Sequence, residues 1–288
     1  MTASSNPSPK VWLITGASRG LGFELAKAAM AVGHTVVACR RSDASKDTSA
    51  QEITKLGGTW VQVDVGSDTL EAQLAEVIHQ HGKVDVLVNN AAHALGGTLE
   101  DCSMEEINRI FSVNIMVPIR TARAMIPSMR AQGSGTIVNI SSSIGLNGLP
   151  GVSMYAATKQ ALEGQIELAP FGIRVLLVEP GGLKTRFADP SRENCTVAVP
   201  FSDPYKGSYA EKVVRYLTDI PATMTRAASV EKAALRIVEA VDGTGMLEGK
   251  PVGLRLPLGK DTLEGVRSKG KLLTELAENL QEVTESIA

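Results

Sequence analysis

The sequence predicts an α/β fold of one domain, a doubly wound parallel sheet with helices on both faces. Three observations predict it. Short, nearly continuous apolar runs recur along the chain, separated by stretches with helical periodicity. A glycine-rich junction joins the first run to the first helix, and small polar residues follow the later runs. Apolar runs without polar alternation belong to strands covered on both faces, and their regular alternation with helices requires parallel strands joined by crossovers.

The 288 residues are 43% hydrophobic, enough for one large core, and no linker divides them. Residues 1–9 are polar and proline-rich and read as a disordered tail, which leaves 10–288 as the domain. The net charge of -2 carries no basic block, so the expected partners include no nucleic acid. Cys39, Cys102 and Cys195 are too scattered for a disulfide framework or a metal cluster, and no metal site is expected. No run reaches the ~18 apolar residues that span a bilayer and the start lacks signal-peptide order, so the expectation is no membrane and a cytoplasmic location.

Val11 to Thr15 forms the first buried run and ends in Gly16-Ala17-Ser18-Arg19-Gly20-Leu21-Gly22, with a helix from Phe23 to Val32. Strand, glycine loop and helix N-terminus together aim backbone N–H groups at a phosphate. His34 to Cys39 is the second strand. Arg40 and Arg41 follow it where a dinucleotide fold brings the adenosine ribose; paired arginines there, with Arg19 near, suit a 2′-phosphate and favour NADP(H) over NAD(H), Asp43 notwithstanding. Thr59 to Val65 is the third strand, with Asp64 at its end as a cap or as a partner for the adenine edge, and Asp68 to His81 is a helix.

Val84 to Val88 runs into Asn89-Asn90-Ala91-Ala92 at the carboxyl edge of the sheet, where a ligand crevice belongs. Helices follow from about Ser103 and on to about Ala131, with Asn114 among apolar neighbours. Thr136 to Ile140 is the fifth strand and empties into Ser141-Ser142-Ser143. Tyr155 and Lys159 then fall four residues apart in one helix, on the same face, so the ammonium is expected to lower the phenol's pKa. Ile173 to Val178 is the sixth strand. From Leu183 to Tyr216 the periodicity weakens while Phe187, Phe201, Tyr205, Tyr209 and Tyr216 collect, which suggests a lid over an apolar substrate pocket. A helix from about Ser229 to Val241, a strand near Val252 to Leu256 and a charged, solvated helix from about Lys260 complete the chain.

Taken in order, Thr15-Gly16-x-x-x-Gly20-x-Gly22, Asn89-Asn90-Ala91, Asn114, the serine strand end, Tyr155-x-x-x-Lys159 and Pro180-Gly181-x-x-x-Thr185 resemble the short-chain dehydrogenases/reductases. The resemblance covers Val11 to Thr185 and implies a Rossmann-like fold. It implies that Tyr155 is the proton donor in carbonyl reduction and the base in alcohol oxidation, and that Lys159 depresses its pKa and holds the nicotinamide ribose. Ser142, thirteen positions before the tyrosine, would polarise the substrate oxygen, with Ser141 and Ser143 as runners-up. Asn114 would hold a water in a proton relay to Lys159, or serve only as a helix-bending hydrogen bond.

The resemblance further places Gly16, Gly20 and Leu21 at the pyrophosphate, Arg41 at the 2′-phosphate, Asp64 at adenine and Asn90 at the ribose. Leu183 and Thr185 would close on the carboxamide, and Arg123 would lie near the cofactor. Two features depart from the family pattern. Ala92 stands where the family carries glycine, and the interval from Tyr155 to Pro180 is about five residues short, roughly 7.5 Å of helix, with the deficit after Gly164. A homo-oligomer is usual for the family, and the shortened helix puts it in doubt here.

The function these residues imply is NADP(H)-dependent reduction of a ketone or aldehyde of a small to medium apolar substrate, reversible toward the alcohol. The aromatic segment is the ground for expecting a role in secondary metabolism. The alternatives are a nucleotide-responsive regulatory protein with little turnover and a decarboxylating or epimerising member of the same fold.

Overall fold

A computed structural model of the protein describes residues 8–40, 48–164, 167–219, 225 and 227–287. The expected N-terminal tail lies largely outside these residues. Seven parallel strands form the main sheet: β1 (Val11–Ile14), β2 (Thr35–Arg40), β3 (Thr59–Gln62), β4 (Val86–Asn89), β6 (Gly135–Ile140), β7 (Ile173–Pro180) and β9 (Arg255–Leu258). Their order is β3-β2-β1-β4-β6-β7-β9. The two strands left out of that sheet, β5 (Ala94–Gly96) and β8 (Cys195–Val197), pair with each other in parallel.

The apolar runs divide their side chains between the two faces, as strands of period two must. Trp12 and Ile14 of β1, Val36 and Ala38 of β2 and Leu176 and Val178 of β7 enter one core, against helices α1 (Gly20–Ala31) and α9 (Val230–Asp242). Leu13, Val37, Ile137 and Val175 enter the other, where α3 (Leu70–His81) and α5 (Val117–Gln132) supply Leu74, Val77, Met125 and Met129. Burial on both faces is why these strands lack alternation. The sheet winds outward from β1 and β4 in opposite directions, so the crevice opens beyond their carboxyl ends.

Of the shorter helices α2 (Thr48–Lys55), α4 (Met104–Phe111), α6 (Ser143–Asn147) and α8 (Tyr209–Thr218), α6 and α8 line that crevice, through Ile144 and through Val214 and Leu217. A buried cluster fastens the opposite end of the sheet. There His34 Nε2 and Asp242 Oδ2 lie 2.8 Å apart, and His34 Nδ1 accepts from the backbone N–H of Lys10 at 3.2 Å.

The α-helix that carries Tyr155 and Lys159, α7, runs only from Ser153 to Gln160 and passes into a 3₁₀ turn at Ala161–Gly164. A second short turn, Ala169–Phe171, precedes β7. The deficit read from the sequence therefore falls after the reactive pair. The segment from 183 to 216 also differs from a plain loop: it holds β8, a 3₁₀ turn at Asp203–Tyr205 and the first turns of α8. Of its aromatics, Phe201 and Tyr205 pack with Val152 and Val214, while Tyr209 is exposed.

Last come α10 (Lys260–Asn279) and α11 (Gln281–Glu285). They are solvated, as expected, but not simply charged: Leu272, Leu273, Leu276, Leu280 and Val283 stand exposed along them. All three cysteines are free and buried, and burial pushes their thiols up to about 12 for Cys39 and about 11 for Cys102 and Cys195. No helix among the described residues is long and apolar enough to cross a membrane.

Candidate active site

The crevice is built from the end of β1 outward. The Thr15 hydroxyl donates to the Val88 carbonyl at 3.1 Å and accepts from the amides of Asn90 at 3.0 Å and Ala91 at 3.1 Å. Asn90 Nδ2 in turn donates to the carbonyls of Thr15 at 2.9 Å and Gly16 at 3.0 Å. The side chain expected at the ribose thus braces the glycine loop while still forming part of the crevice wall. This brace explains the glycines. Gly16 has φ +65, and a Cβ at Gly22 would stand 2.4 Å from Asn90 Nδ2 and 2.6 Å from the Gly16 carbonyl oxygen.

Helix α1 begins at Gly20 with no side-chain cap and no acid in its first turn. Its positive end and first-turn N–H groups therefore face the crevice without a protein anion to satisfy them, an arrangement suited to a phosphate. Gly16, Gly20, Leu21, Leu183 and Thr185 all line the crevice, and Thr185 Cγ2 would lie 3.5 Å from a Cβ at Gly20.

The three serines after β6 have separate tasks. Ser141 Oγ donates to the Lys159 carbonyl at 3.2 Å, and Ser143 begins α6. Ser142 caps that helix, accepting from the Ile144 N–H at 3.2 Å, and is hydrogen-bonded to the phenol of Tyr155. Lys159, 3% exposed, donates from Nζ to the Ile140 carbonyl at 2.8 Å, and its nitrogen lies 5.6 Å from the Tyr155 ring centroid. Ser142, Tyr155 and Lys159 meet on one wall.

The electrostatics reverse one expectation. Burial pushes Tyr155 up to about 12, outweighing the Ser142 hydrogen bond that acts downward, and burial pushes Lys159 down to about 8. The ammonium donates to the Ile140 carbonyl, and burial of the phenol outweighs the effect of the charge beside it. Tyr155 is accordingly a neutral phenol at physiological pH, the form that donates a proton.

Asn114 lies behind this wall, 1% exposed, in a π-helical turn at Ser112–Met116 between α4 and α5. Its Oδ1 accepts from the His93 N–H at 2.8 Å, and its Nδ2 donates to the His93 carbonyl at 2.9 Å and to Thr158 Oγ1 at 3.0 Å. Both amide protons are committed to protein acceptors next to Lys159, so Asn114 acts as a clamp on α7. The side chain forms a hydrogen-bond bridge beside the bend of the π turn.

Two other expected positions, Asp64 and Arg123, stand apart from the crevice. Asp64 is not on its wall; its carboxylate accepts from the Gly66 N–H at 3.0 Å and closes the turn after β3, the capping alternative. Arg123 is exposed on α5, because Thr121, Ala122 and Met125 turn inward and leave position 123 facing solvent, where its charge acts on Glu71. Arg40 lies over the Trp60 ring, 5.6 Å from its centroid, and Arg41 falls outside the described residues.

His93 escaped the sequence reading although it directly follows Asn89-Asn90-Ala91-Ala92. Its Nε2 lies 2.8 Å from Thr196 Oγ1, and burial, helped by Arg109, pulls its pKa down to about 4. This neutral histidine fastens the β4 loop to β8. The cavity enclosed by these elements measures about 1430 Å³. That exceeds the ~300–1,000 Å³ typical of one small ligand and leaves room for two side by side. Beyond the reactive wall it is bounded by Leu95, Ile144, Leu149, Val214 and Leu217, with the Phe187 and Tyr155 ring centroids 6.0 Å apart.

A Rossmann-like sheet with a glycine loop, and a serine, tyrosine and lysine meeting on one wall, define a nucleotide-binding oxidoreductase. Residues 10–196 match the family model described as short chain dehydrogenase, and the chain belongs to that family. It is 30% identical over 281 residues to oxidoreductase BOA17 of Botryotinia fuckeliana, covering 96% of this chain and 98% of that one. It is 44% identical over 182 residues to oxidoreductase claN of Passalora fulva, covering 61% and 83% respectively. Retinol dehydrogenase 8 of Bos taurus is 38% identical over 217 residues, covering 70% of this chain and 68% of that one. Among solved structures, a short-chain dehydrogenase from Streptomyces avermitilis superposes with a TM-score of 0.81 at 31% identity, covering 98% of this chain and 99% of that chain. A metagenomic short-chain oxidoreductase in complex with NADP gives 0.64 at 27% identity, covering 88% and 100%.

Proposed function

We propose that the chain is an NADP(H)-dependent reductase of ketones or aldehydes on small to medium apolar substrates, reversible toward the alcohol. The observation that carries this reading is the meeting of Ser142, Tyr155 and Lys159 on the wall of a 1430 Å³ cavity that joins an uncapped helix N-terminus to an apolar end. The residues fit a dinucleotide. Gly16, Gly20, Leu21 and the first turn of α1 would hold its pyrophosphate, Lys159 the nicotinamide ribose, and Leu183 with Thr185 the carboxamide. When bound, the cofactor supplies the hydride chemistry. Arg41, with Arg40 beside it in sequence and Arg19 in the glycine loop, favours the phosphorylated form.

Within that frame, Ser142 donates a hydrogen bond to the substrate oxygen and stabilises the charge that develops there. Tyr155 Oη gives its proton to the same oxygen. Lys159 supplies a positive charge beside the phenol, which favours the tyrosinate left behind. The apolar wall from Leu95 to Leu217 excludes water, and the segment 183–216 acts as a lid through Phe187. A relative named for retinol, a long apolar alcohol, supports that choice of substrate class.

The test is NADPH and NADH consumption across a panel of apolar ketones and aldehydes, with Tyr155→Phe and Ser142→Ala in parallel. Turnover with NADPH, lost in Tyr155→Phe and reduced roughly 10²–10³-fold in Ser142→Ala, is the expected result. Equal rates in wild type and Tyr155→Phe would remove the mechanism. Tight NADPH binding without turnover on any carbonyl would favour the regulatory reading.

A further inference from the structure

The strand end that would meet the nicotinamide is held by a side chain from far along the sequence. After β7 the backbone runs Gly181-Gly182-Leu183-Lys184, and its amides are taken up one by one. The Gly181 N–H donates to the Leu258 carbonyl at 2.8 Å and the Lys184 N–H to the Ala228 carbonyl at 2.9 Å, while the Gly182 carbonyl accepts from the Ala228 N–H at 2.8 Å. The Gly182 N–H donates to a side chain, Asp261 Oδ2, at 2.9 Å. Of the four amides, that of Leu183 alone has no protein acceptor among the described residues, and Leu183 lines the crevice. Such an N–H is a donor for a ligand's carbonyl oxygen, provided the backbone around it is held still.

The start of α10 is arranged around that contact. Asp261 sits in its first turn, where the helix dipole favours a carboxylate. Thr262 beside it is fully buried and donates from Oγ1 to the Leu258 carbonyl at 3.2 Å, which fixes the rotation of the helix where β9 ends. The Asp261 carboxylate then packs against two glycines. A Cβ at Gly181 would collide with both of its oxygens, and one at Gly259 would stand 2.5 Å from Oδ1. One turn further along the same face, Gly265 lies so near α6 that a Cβ there would stand 2.6 Å from Asn147 Nδ2. Two turns of α10 thus touch both the strand end that carries Leu183 and the helix that Ser142 caps.

We propose that Asp261 is a positioning residue for the nicotinamide end of the crevice. By accepting from the Gly182 N–H it fixes the strand end on which Leu183 presents its remaining N–H to the cofactor's carboxamide. The inference rests on the dinucleotide reading given above, and it adds a residue from outside the segment 10–196 that matches the family model. Asp261 acts through Gly182 and not by touching the cofactor. It is an exposed residue, so solvent screens its charge, and what the strand end requires of it is an acceptor in the right place.

Calorimetric titration of the full chain separates the two ends of the cofactor. NADPH and NADH are each compared with the same molecule lacking its nicotinamide, 2′-phospho-ADP-ribose and ADP-ribose, on wild type, Asp261→Ala and Asp261→Asn. Asp261→Ala should bind the intact dinucleotide about tenfold more weakly, the effect of losing one charge-assisted hydrogen bond at an exposed site, and the fragment as wild type does. Unchanged fragment binding also reports an intact fold. Asp261→Asn keeps an acceptor and should recover most of the loss. A residue that only fastens the helix would weaken both ligands alike or neither. Equal losses on dinucleotide and fragment, an Asp261→Ala protein that binds both as wild type does, or an Asp261→Asn protein as weak as Asp261→Ala would each overturn the proposal while leaving the reductase reading in place. A wild type that binds neither dinucleotide would remove both.

Discussion

Lys159 Nζ donates to the Ile140 carbonyl at 2.8 Å, so the cation of the reactive pair is held by the same strand end that presents Ser142. The bond fixes the ammonium but leaves it in a poor place for charge, since burial pushes its pKa down to about 8 from the 10.5 of a free lysine. Between those values the unfolded chain binds the proton and the folded chain does not, so this group makes stability rise with pH across that window. Below pH 8 the folded protein carries the full cost of a buried ammonium, on the order of 3 kcal/mol. Lys159→Met is therefore expected to lose at least ~10²-fold in turnover while denaturing in urea no earlier than wild type at pH 7. Its advantage should shrink at pH 9.5 as the wild-type lysine discharges. A variant less stable by the same amount at both pH values would contradict the buried-charge account.

The glycine loop gives a prediction of opposite character. A methyl group at position 22 would press into Asn90 Nδ2 and the Gly16 carbonyl, the two ends of one hydrogen bond. Gly22→Ala should cost about 1–3 kcal/mol through overpacking and, by displacing the loop, weaken dinucleotide binding at least tenfold. Calorimetric titration with NADPH and NADH reads the second effect directly. Gly33→Ala is the control. A Cβ there meets nothing, so its cost should come from φ +93 alone and binding should be unchanged.

Much of this was legible before any coordinates. The apolar runs of the main sheet are strands near the positions the sequence indicates, because strands buried on both faces are written as unbroken hydrophobic stretches. The strand ends at Thr15, Asn89 and Ser142 could be placed for the same reason. What escaped was set by tertiary context. β5 and β8 are three residues each and exist only as partners of one another. His93 carries no periodic signal, and its role depends on Thr196, which is distant in sequence. The pKa of Tyr155 could not be read from the spacing to Lys159, since spacing gives the shared face but not the degree of burial or the competing Ile140 acceptor. Asp64 forms the cap that its strand-end position offered, through a local turn, and Arg123 was placed by analogy and lies on an exposed face of its helix.

Asn114 links the π turn to the helix of the reactive pair, and its three hydrogen bonds are all to buried partners. Asn114→Leu keeps the volume but strands the His93 N–H, the His93 carbonyl and the Thr158 hydroxyl without that partner. A loss of about 2–4 kcal/mol is expected, since each stranded buried group costs roughly 1–3 kcal/mol and the site relaxes in part. Asn114→Asp retains the acceptor for the His93 N–H but loses both donated bonds, and it sets a carboxylate against the His93 carbonyl. Its deficit should grow with pH as that carboxyl ionises, whereas that of Asn114→Leu stays constant. Thermal denaturation at pH 5 and pH 8 distinguishes them, and an Asn114→Leu protein as stable as wild type would show that the clamp is dispensable.

Arg255 joins the sheet edge to the truncated end of the tyrosine helix. Its guanidinium pairs with Glu179 of β7 and with Glu163 of the 3₁₀ turn that follows α7, the latter with a second contact at 2.9 Å. The Glu179 side chain is 1% exposed, and burial raises its pKa despite the arginine. A carboxyl whose folded pKa lies above its unfolded value loses stability as pH rises through that interval. Removing the cation raises the folded pKa further and widens the interval. Arg255→Ala should accordingly lose about 2–4 kcal/mol at pH 8, because a buried charge is left uncompensated, and visibly less at pH 5, where Glu179 takes up a proton. Adding Glu179→Gln to Arg255→Ala should recover much of the loss at pH 8 and remove its pH dependence, since the neutral amide needs no cation. Equal losses in the single and double variants would mean that Arg255 acts through Glu163 alone, by holding the short helix against the sheet.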